Sequence, residues 1–113
     1  MVTFSPRKQQ DPSFKLELAK LSSLVADMHA IQRGRMPEEL AGDEAPLLDR
    51  WIFGTRLAPC LKGLATGHPR LIGDNRAIYT SELWLRSEDR SWARTLSRWY
   101  RLGRPADFSG FDS

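Results

Sequence analysis

One cysteine, Cys60, stands in a chain of 113 residues, so no disulfide can form within it. A reduced, cytoplasmic setting is the simplest expectation. No apolar run approaches the roughly 20 residues that a membrane helix needs. Met1–Gln10 lacks the apolar stretch of a secretory signal. No membrane partner is expected. Gly63, Gly67 and Gly73 match neither a phosphate-cradling nor a dinucleotide-binding loop. One cysteine and two distant histidines, His29 and His68, do not supply the three or four converging ligands of a metal site. No cofactor is expected. Cys60 and His68 could meet across a hairpin as a thiolate–imidazole pair. Yet Cys60 follows Pro59 in an apolar run, where a lone thiol ordinarily serves as a small hydrophobe. With no catalytic constellation in view, the expectation is not an enzyme.

What the chain does have is arginine, and it is unevenly spread. Residues 1–46 carry six basic and seven acidic side chains, whereas residues 47–105 carry eleven basic and five acidic ones. The stretch Ala106–Ser113 adds two acidic residues and no basic one. Thirteen of the seventeen basic residues are arginine. Arginine offers a planar, multi-donor fork that suits phosphates, carboxylates and aromatic faces. An anionic partner is one reading; a solvated arginine rim around a small core is the other.

Patterning divides the chain. Met1–Gln10 is polar, and a flexible N-terminus is expected over 1–11. Asp11-Pro12 has the form of a helix start, the carboxylate capping and proline occupying the first turn, where its missing N–H costs nothing. Apolar residues then recur at 14, 18, 21, 25 and 28, with Leu16, Leu24 and Ile31 widening the stripe. This predicts an amphipathic helix over about 12–33, stopped by Gly34. Met36–Pro46 reads as a connection with one helical turn at Glu38–Ala41. Leu47, Leu48, Trp51 and Ile52 again fall at helical spacing and predict a short second helix over about 47–57. From Ala58 the texture changes to short runs closed by turn signals, Gly67-His68-Pro69, Gly73-Asp74-Asn75 and Ser87–Arg90. Such spacing predicts a small antiparallel sheet over about 59–103.

Ser91–Pro105, SWARTLSRWYRLGRP, interleaves Trp92, Trp99 and Tyr100 with Arg94, Arg98, Arg101 and Arg104. The apolar positions 92, 96, 99 and 100 carry a helical period, which would line up Arg90, Arg94, Arg98 and Arg101 as a phosphate-facing row. The same residues also fit a hairpin, with Ser91–Thr95 and Trp99–Leu102 joined by Leu96-Ser97-Arg98. That turn lacks the glycine or asparagine that short hairpins favour.

The order GHPRL (67–71), TSELW (80–84) and WARTLSRWYRLGRP (92–105) resembles a family of small uncharacterised proteins found in rhizobia and related alphaproteobacteria. The looser pattern, a Thr-Ser pair and then Thr-x-Ser before Tyr-Arg-Leu-Gly, is similar to small bacterial and phage modules built of strands. The resemblance covers about residues 58–105 and implies a hairpin at 91–102. It implies no activity. Members of the looser group often have glycine where this chain has Ser97-Arg98.

Together these readings predict an α+β protein with a single domain over 12–105 and a flexible acidic tail at 106–113. The two helices would pack on the sheet, with Trp51, Trp84, Trp92, Trp99, Leu85 and Leu102 as core candidates. The expected function is an accessory or regulatory module that binds a protein partner. Nucleic-acid binding through the arginine-rich segment 86–104 is the alternative, and pairing with a second copy as a homodimer is compatible with the first. Arg90, Arg94, Arg98, Arg101, Arg104 and Trp99 are the candidate contact residues, since Trp and Arg are the side chains most enriched at binding hot spots.

Overall fold

The computed structural model describes residues 1–106; the acidic tail from residue 107 onward lies outside the described residues. The fold is α+β, with eight elements among the described residues. β1 (Val2–Phe4) is followed by α1 (Pro12–Gln32) and α2 (Pro37–Ala41), then β2 (Lys62–Ala65), β3 (Arg76–Tyr79), β4 (Leu83–Ser87), β5 (Trp92–Thr95) and β6 (Trp99–Arg101). The chain divides into two compact units. One comprises Asp11–Arg56, and the other joins Met1–Gln10 to the residues from Leu57 onward.

In the helical unit, the ends of α1 are where the sequence puts them. The Asp11 carboxylate accepts from the Phe14 N–H at 3.1 Å, and Pro12 opens the first turn. At the other end, Gly34 has φ +88°, the left-handed conformation that glycine adopts without steric cost. Arg35 N–H donates to the Ala30 carbonyl, and Gly34 N–H donates to that of Ile31. These two bonds satisfy carbonyls that the helix end would leave orphaned. α2 begins at Pro37, and an Arg35–Glu39 ion pair four residues apart spans its start.

The second helix expected at Leu47–Leu57 is absent; the short helix of this fold is α2, around the turn anticipated at Glu38–Ala41. Three local features defeat the helical spacing. Arg50 lies at φ +51°, and its N–H is taken by the Asp49 side chain. Gly54 and the β-branched Ile52 and Thr55 weaken helix propensity. A segment of this length also needs packing to hold a helix, and Leu47, Ile52, Phe53 and Leu57 are almost fully exposed. Trp51 meets Phe53 edge to face at 5.3 Å but is itself 60% exposed, so it is not the core residue expected.

The strand unit holds two sheets. One is four-stranded, in the order β1-β4-β5-β6, and the other is the β2-β3 hairpin. β1 runs parallel to β4, with Val2 beside Leu85 and Phe4 beside Ser87. The N-terminal residues are therefore part of the sheet rather than a free end: a three-residue strand is too short to announce itself by alternation, but a long-range partner recruits it. All other pairings are antiparallel. In the hairpin β2-β3, Lys62 lies opposite Tyr79, with the ammonium 5.1 Å from the ring centroid.

Ser91–Leu102 is a hairpin. Trp92 faces Arg101, Ala93 faces Tyr100, and Arg94 faces Trp99. The loop Leu96-Ser97-Arg98 works without glycine because Thr95 supplies the missing chemistry. Its hydroxyl accepts from the N–H groups of Ser97 and Arg98 and donates to the Arg98 carbonyl, at 3.2–3.3 Å. None of the three loop residues needs a positive φ, so the glycine or asparagine preference of tighter turns does not apply. The loop is also tethered to the segment before β4: Leu96 N–H donates to the Glu82 carbonyl, and the hydroxyls of Ser97 and Ser81 meet at 2.9 Å.

A register shift between Leu83 and Leu85 marks a bulge in β4. Strict alternation would put both leucines on one face. The extra residue turns Leu83 toward Thr95 and Ala93, while Leu85 joins Val2 and Arg94 on the opposite face. Leu83, Ala93 and Thr95 are buried, and Ala93 is completely enclosed. Ser87 is equally enclosed at the far end of β4. Its hydroxyl donates to the Asp89 carboxylate and accepts from the N–H groups of Ser91 and Trp92.

Candidate interaction site on the terminal hairpin

The pairing register decides which side chains share a face. Partner residues lie side by side, so Val2, Phe4, Leu85, Ser87, Trp92, Arg94, Trp99 and Arg101 stand on one face of the four-stranded sheet. Thr3, Arg86, Ala93 and Tyr100 stand on the other. On the first face, Trp92 and Arg94 of β5 lie opposite Arg101 and Trp99 of β6, a diagonal alternation of indole and guanidinium.

The aromatics of this face touch in a row. Trp99 meets Trp92 edge to face at 6.1 Å and Phe4 edge to face at 5.8 Å. Phe4 belongs to one edge strand and Trp99 to the other. In a flat sheet, three strand spacings of about 4.8 Å would hold them roughly 14 Å apart. Their contact shows that the sheet coils until this face is concave. Even so, Trp92 and Trp99 remain 43% and 49% exposed, so the sheet does not bury the two tryptophans expected as core. Trp84, Leu85 and Leu102 are half-buried.

The candidate arginines scatter accordingly. Arg94 and Arg101 share the tryptophan face; Arg98 sits in the hairpin loop; Arg90 occupies the β4-β5 turn at φ +60°; Arg104 follows β6 and is exposed. The phosphate-facing row that a helix would have made does not exist. Arg86 is on the other face and half-buried, its Nη2 donating to the Thr3 hydroxyl at 3.5 Å, so it acts within the sheet.

A cleft of about 580 Å³ runs beside the hairpin. One wall is Trp99–Gly103 with Trp92 and Arg98, and the other is Leu64–Pro69 at the end of β2. A smaller recess of about 160 Å³ shares His68, Arg98 and Tyr100 with it. Among the described residues, no carboxylate lines either space. His68, Arg98 and Tyr100 were not all evident from sequence as a group, because the long β2-β3 loop brings His68 back to the hairpin: its ring centroid is 6.3 Å from that of Tyr100. The Arg70 N–H donates to His68 Nδ1 at 3.0 Å, which leaves the ring proton on Nε2. Partial covering of the ring, then the charges of Arg98 and Arg70, hold the imidazole below its ordinary value of 6.5. The cleft therefore offers two guanidinium groups and a neutral N–H donor.

β2 separates Cys60 from His68, and the Cys60 thiol is free and exposed. Among the described residues, no three His, Cys, Asp or Glu side chains gather as metal ligands. No described helix is long and apolar enough to cross a membrane.

Fold and site together define a small α+β protein with an open, aromatic and cationic strand edge. The chain belongs to DUF6634, a family of unknown function, whose pattern matches residues 16–110. No curated protein and no solved structure matches it.

Proposed function

We propose that the chain is a non-enzymatic accessory module that binds a protein partner through the concave face of its terminal hairpin. One observation carries this reading: Trp92 and Trp99 alternate with Arg94 and Arg101 and stay about half exposed in a unit with few buried apolar side chains. Half-exposed indoles framed by guanidinium groups are the composition of a binding hot spot. A nucleic acid is the weaker reading, because the arginines divide between two faces and two turns instead of tracking a backbone. A reducing, cytoplasmic setting goes with the exposed Cys60 thiol.

The test is affinity capture from the native host with the unaltered chain and with Arg94→Ala combined with Arg101→Ala. The unaltered chain should retain a protein that the variant loses while its circular dichroism is unchanged. A chain that captures nothing would overturn the reading. So would tight retention of a generic oligonucleotide that falls steeply with salt, which would hand the face to nucleic acid.

A further inference from the structure

We propose that the cleft beside β6 takes an extended, acidic peptide segment of the partner by strand addition; this rests on the protein-binding reading above and specifies its mode. Among the described residues, β6 is an edge strand, paired only with β5. In an antiparallel ladder, alternate residues turn their N–H and C=O groups toward the partner strand. Thr95 N–H donates to the Arg98 carbonyl, and Leu102 N–H donates to the Ser91 carbonyl. Residues 98, 100 and 102 thus face β5, and Trp99, Arg101 and Gly103 present their backbone groups on the open side.

β6 borders a cleft. Trp99, Arg101 and Gly103 all line it, and Leu64 on the opposite wall belongs to β2, the edge of the second sheet. In β2 the same alternation holds. Thr80 N–H donates to the Leu61 carbonyl, so Leu61, Gly63 and Ala65 face β3 and Leu64 turns outward. A peptide strand in the cleft would meet backbone groups turned away from their described partner strands, along β6 and at Leu64. From Trp99 to Gly103 the edge runs about 13 Å at roughly 3.3 Å per residue, the span of a five-residue strand.

Charge names the occupant. Among the described residues, the lining contains Arg98, Arg101 and His68 and no carboxylate. An exposed strand edge ordinarily carries devices against unwanted pairing, and positive charge is one of them. Here the same charge selects: it repels basic edges and favours a segment bearing carboxylates over a neutral one. Strand addition supplies affinity from main-chain bonds and specificity from alternate side chains.

The experiment uses the full chain, labelled with nitrogen-15, and a pool of pentapeptides with glutamate at the first, third and fifth positions. Expected are shifts and slowed solvent exchange of the Trp99, Arg101 and Gly103 amides. Methylating the peptide's backbone nitrogens, which keeps every side chain, should weaken binding about tenfold or more, since each lost hydrogen bond contributes on the order of half to all of a tenfold factor. A matched lysine pool should not bind. Undiminished binding after methylation, or shifts confined to Trp92 and Arg94, would overturn strand addition while leaving the tryptophan face as a protein site. Absence of any shift with the glutamate pool, in a chain that still captures its partner, would overturn it too. Protection of the same amides by a ten-nucleotide thymidine oligomer in place of the acidic pool would refute both readings.

Discussion

The helical unit and the strand unit distribute their side chains in opposite ways. In Asp11–Arg56, the order of α1 comes from its two ends, a carboxylate cap at Asp11 and a left-handed glycine at Gly34. Much of its apolar stripe, including Leu18, Val25 and Met28, is exposed, and Ala30 alone among the residues of α1 is buried. In the strand unit the enclosed positions include hydroxyls: Ser87 and Thr95 are sealed in while tryptophans stay half open. A helix satisfies its own backbone, so its local signals suffice to place it. A small sheet has turns whose N–H groups must be satisfied inside the fold, and two buried hydroxyls take that role.

This contrast can be broken most sharply at Ser87. Ser87→Ala leaves the Trp92 N–H without its buried acceptor, takes one of two acceptors from the Ser91 N–H and removes the hydroxyl that donates to Asp89; it should cost about 3 kcal/mol, at the upper end for unsatisfied buried groups. Chemical denaturation followed by tryptophan fluorescence measures it; a loss within noise would mean that the hydroxyl is dispensable and the contrast false. Thr95→Val keeps the shape and removes the three bonds of the hairpin loop. About 2 kcal/mol is expected, with amide exchange speeding up at Ser97 and Arg98 first.

The helical side is tested at its terminus. Gly34→Ala forces a β-carbon into φ +88°, where no neighbouring atom obstructs it, so the cost is conformational alone, about 1 kcal/mol. It should appear as fraying of the last turn of α1 in amide exchange and leave the hairpin amides unchanged. A larger effect in β4–β6 than in α1 would contradict the local character claimed for the cap.

The smallest expected effect concerns pH. Hydrogen bonds from the Ser91 and Ser87 side chains, then the Ser91 N–H, hold the Asp89 carboxyl below its ordinary value of 3.8. A carboxyl depressed in the folded state stabilises it above the unfolded pKa, and that contribution disappears as pH falls through the folded pKa. Thermal unfolding below about pH 4 should therefore fall more steeply in the unaltered chain than in Asp89→Asn. Parallel pH profiles would show that the turn does not depend on the charged form.

Much of this was legible beforehand. Asp11-Pro12 and Gly34 bounded α1; the polar breaks at Gly67-His68-Pro69 and Gly73-Asp74-Asn75 fall between β2 and β3, and Ser87–Arg90 overlaps the end of β4 and the turn to β5. The grouping of the candidate contact residues was not legible. Arg94 and Arg101 share a face with Trp92 and Trp99 only through the β5-β6 register, and His68 reaches Arg98 and Tyr100 only through a loop of ten residues between β2 and β3. Leu47–Leu57 carried a helical period and is not a helix, because period reports which side chains could share a face and not whether anything covers that face.

By itself, then, the sequence determined the class of fold, the ends of the long helix and the breaks between strands, all of which are set by residues close together along the chain. The tertiary structure alone decided that Ser91–Leu102 is a hairpin, that Val2–Phe4 lies parallel to β4, and that the tryptophans face a cleft. Each of those outcomes depends on bonds between distant segments, among them Phe4 carbonyl to Glu88 N–H and Ser81 to Ser97. A local period cannot encode such bonds, since the same alternation of indole and guanidinium serves a helix or a strand until a partner strand takes its hydrogen bonds.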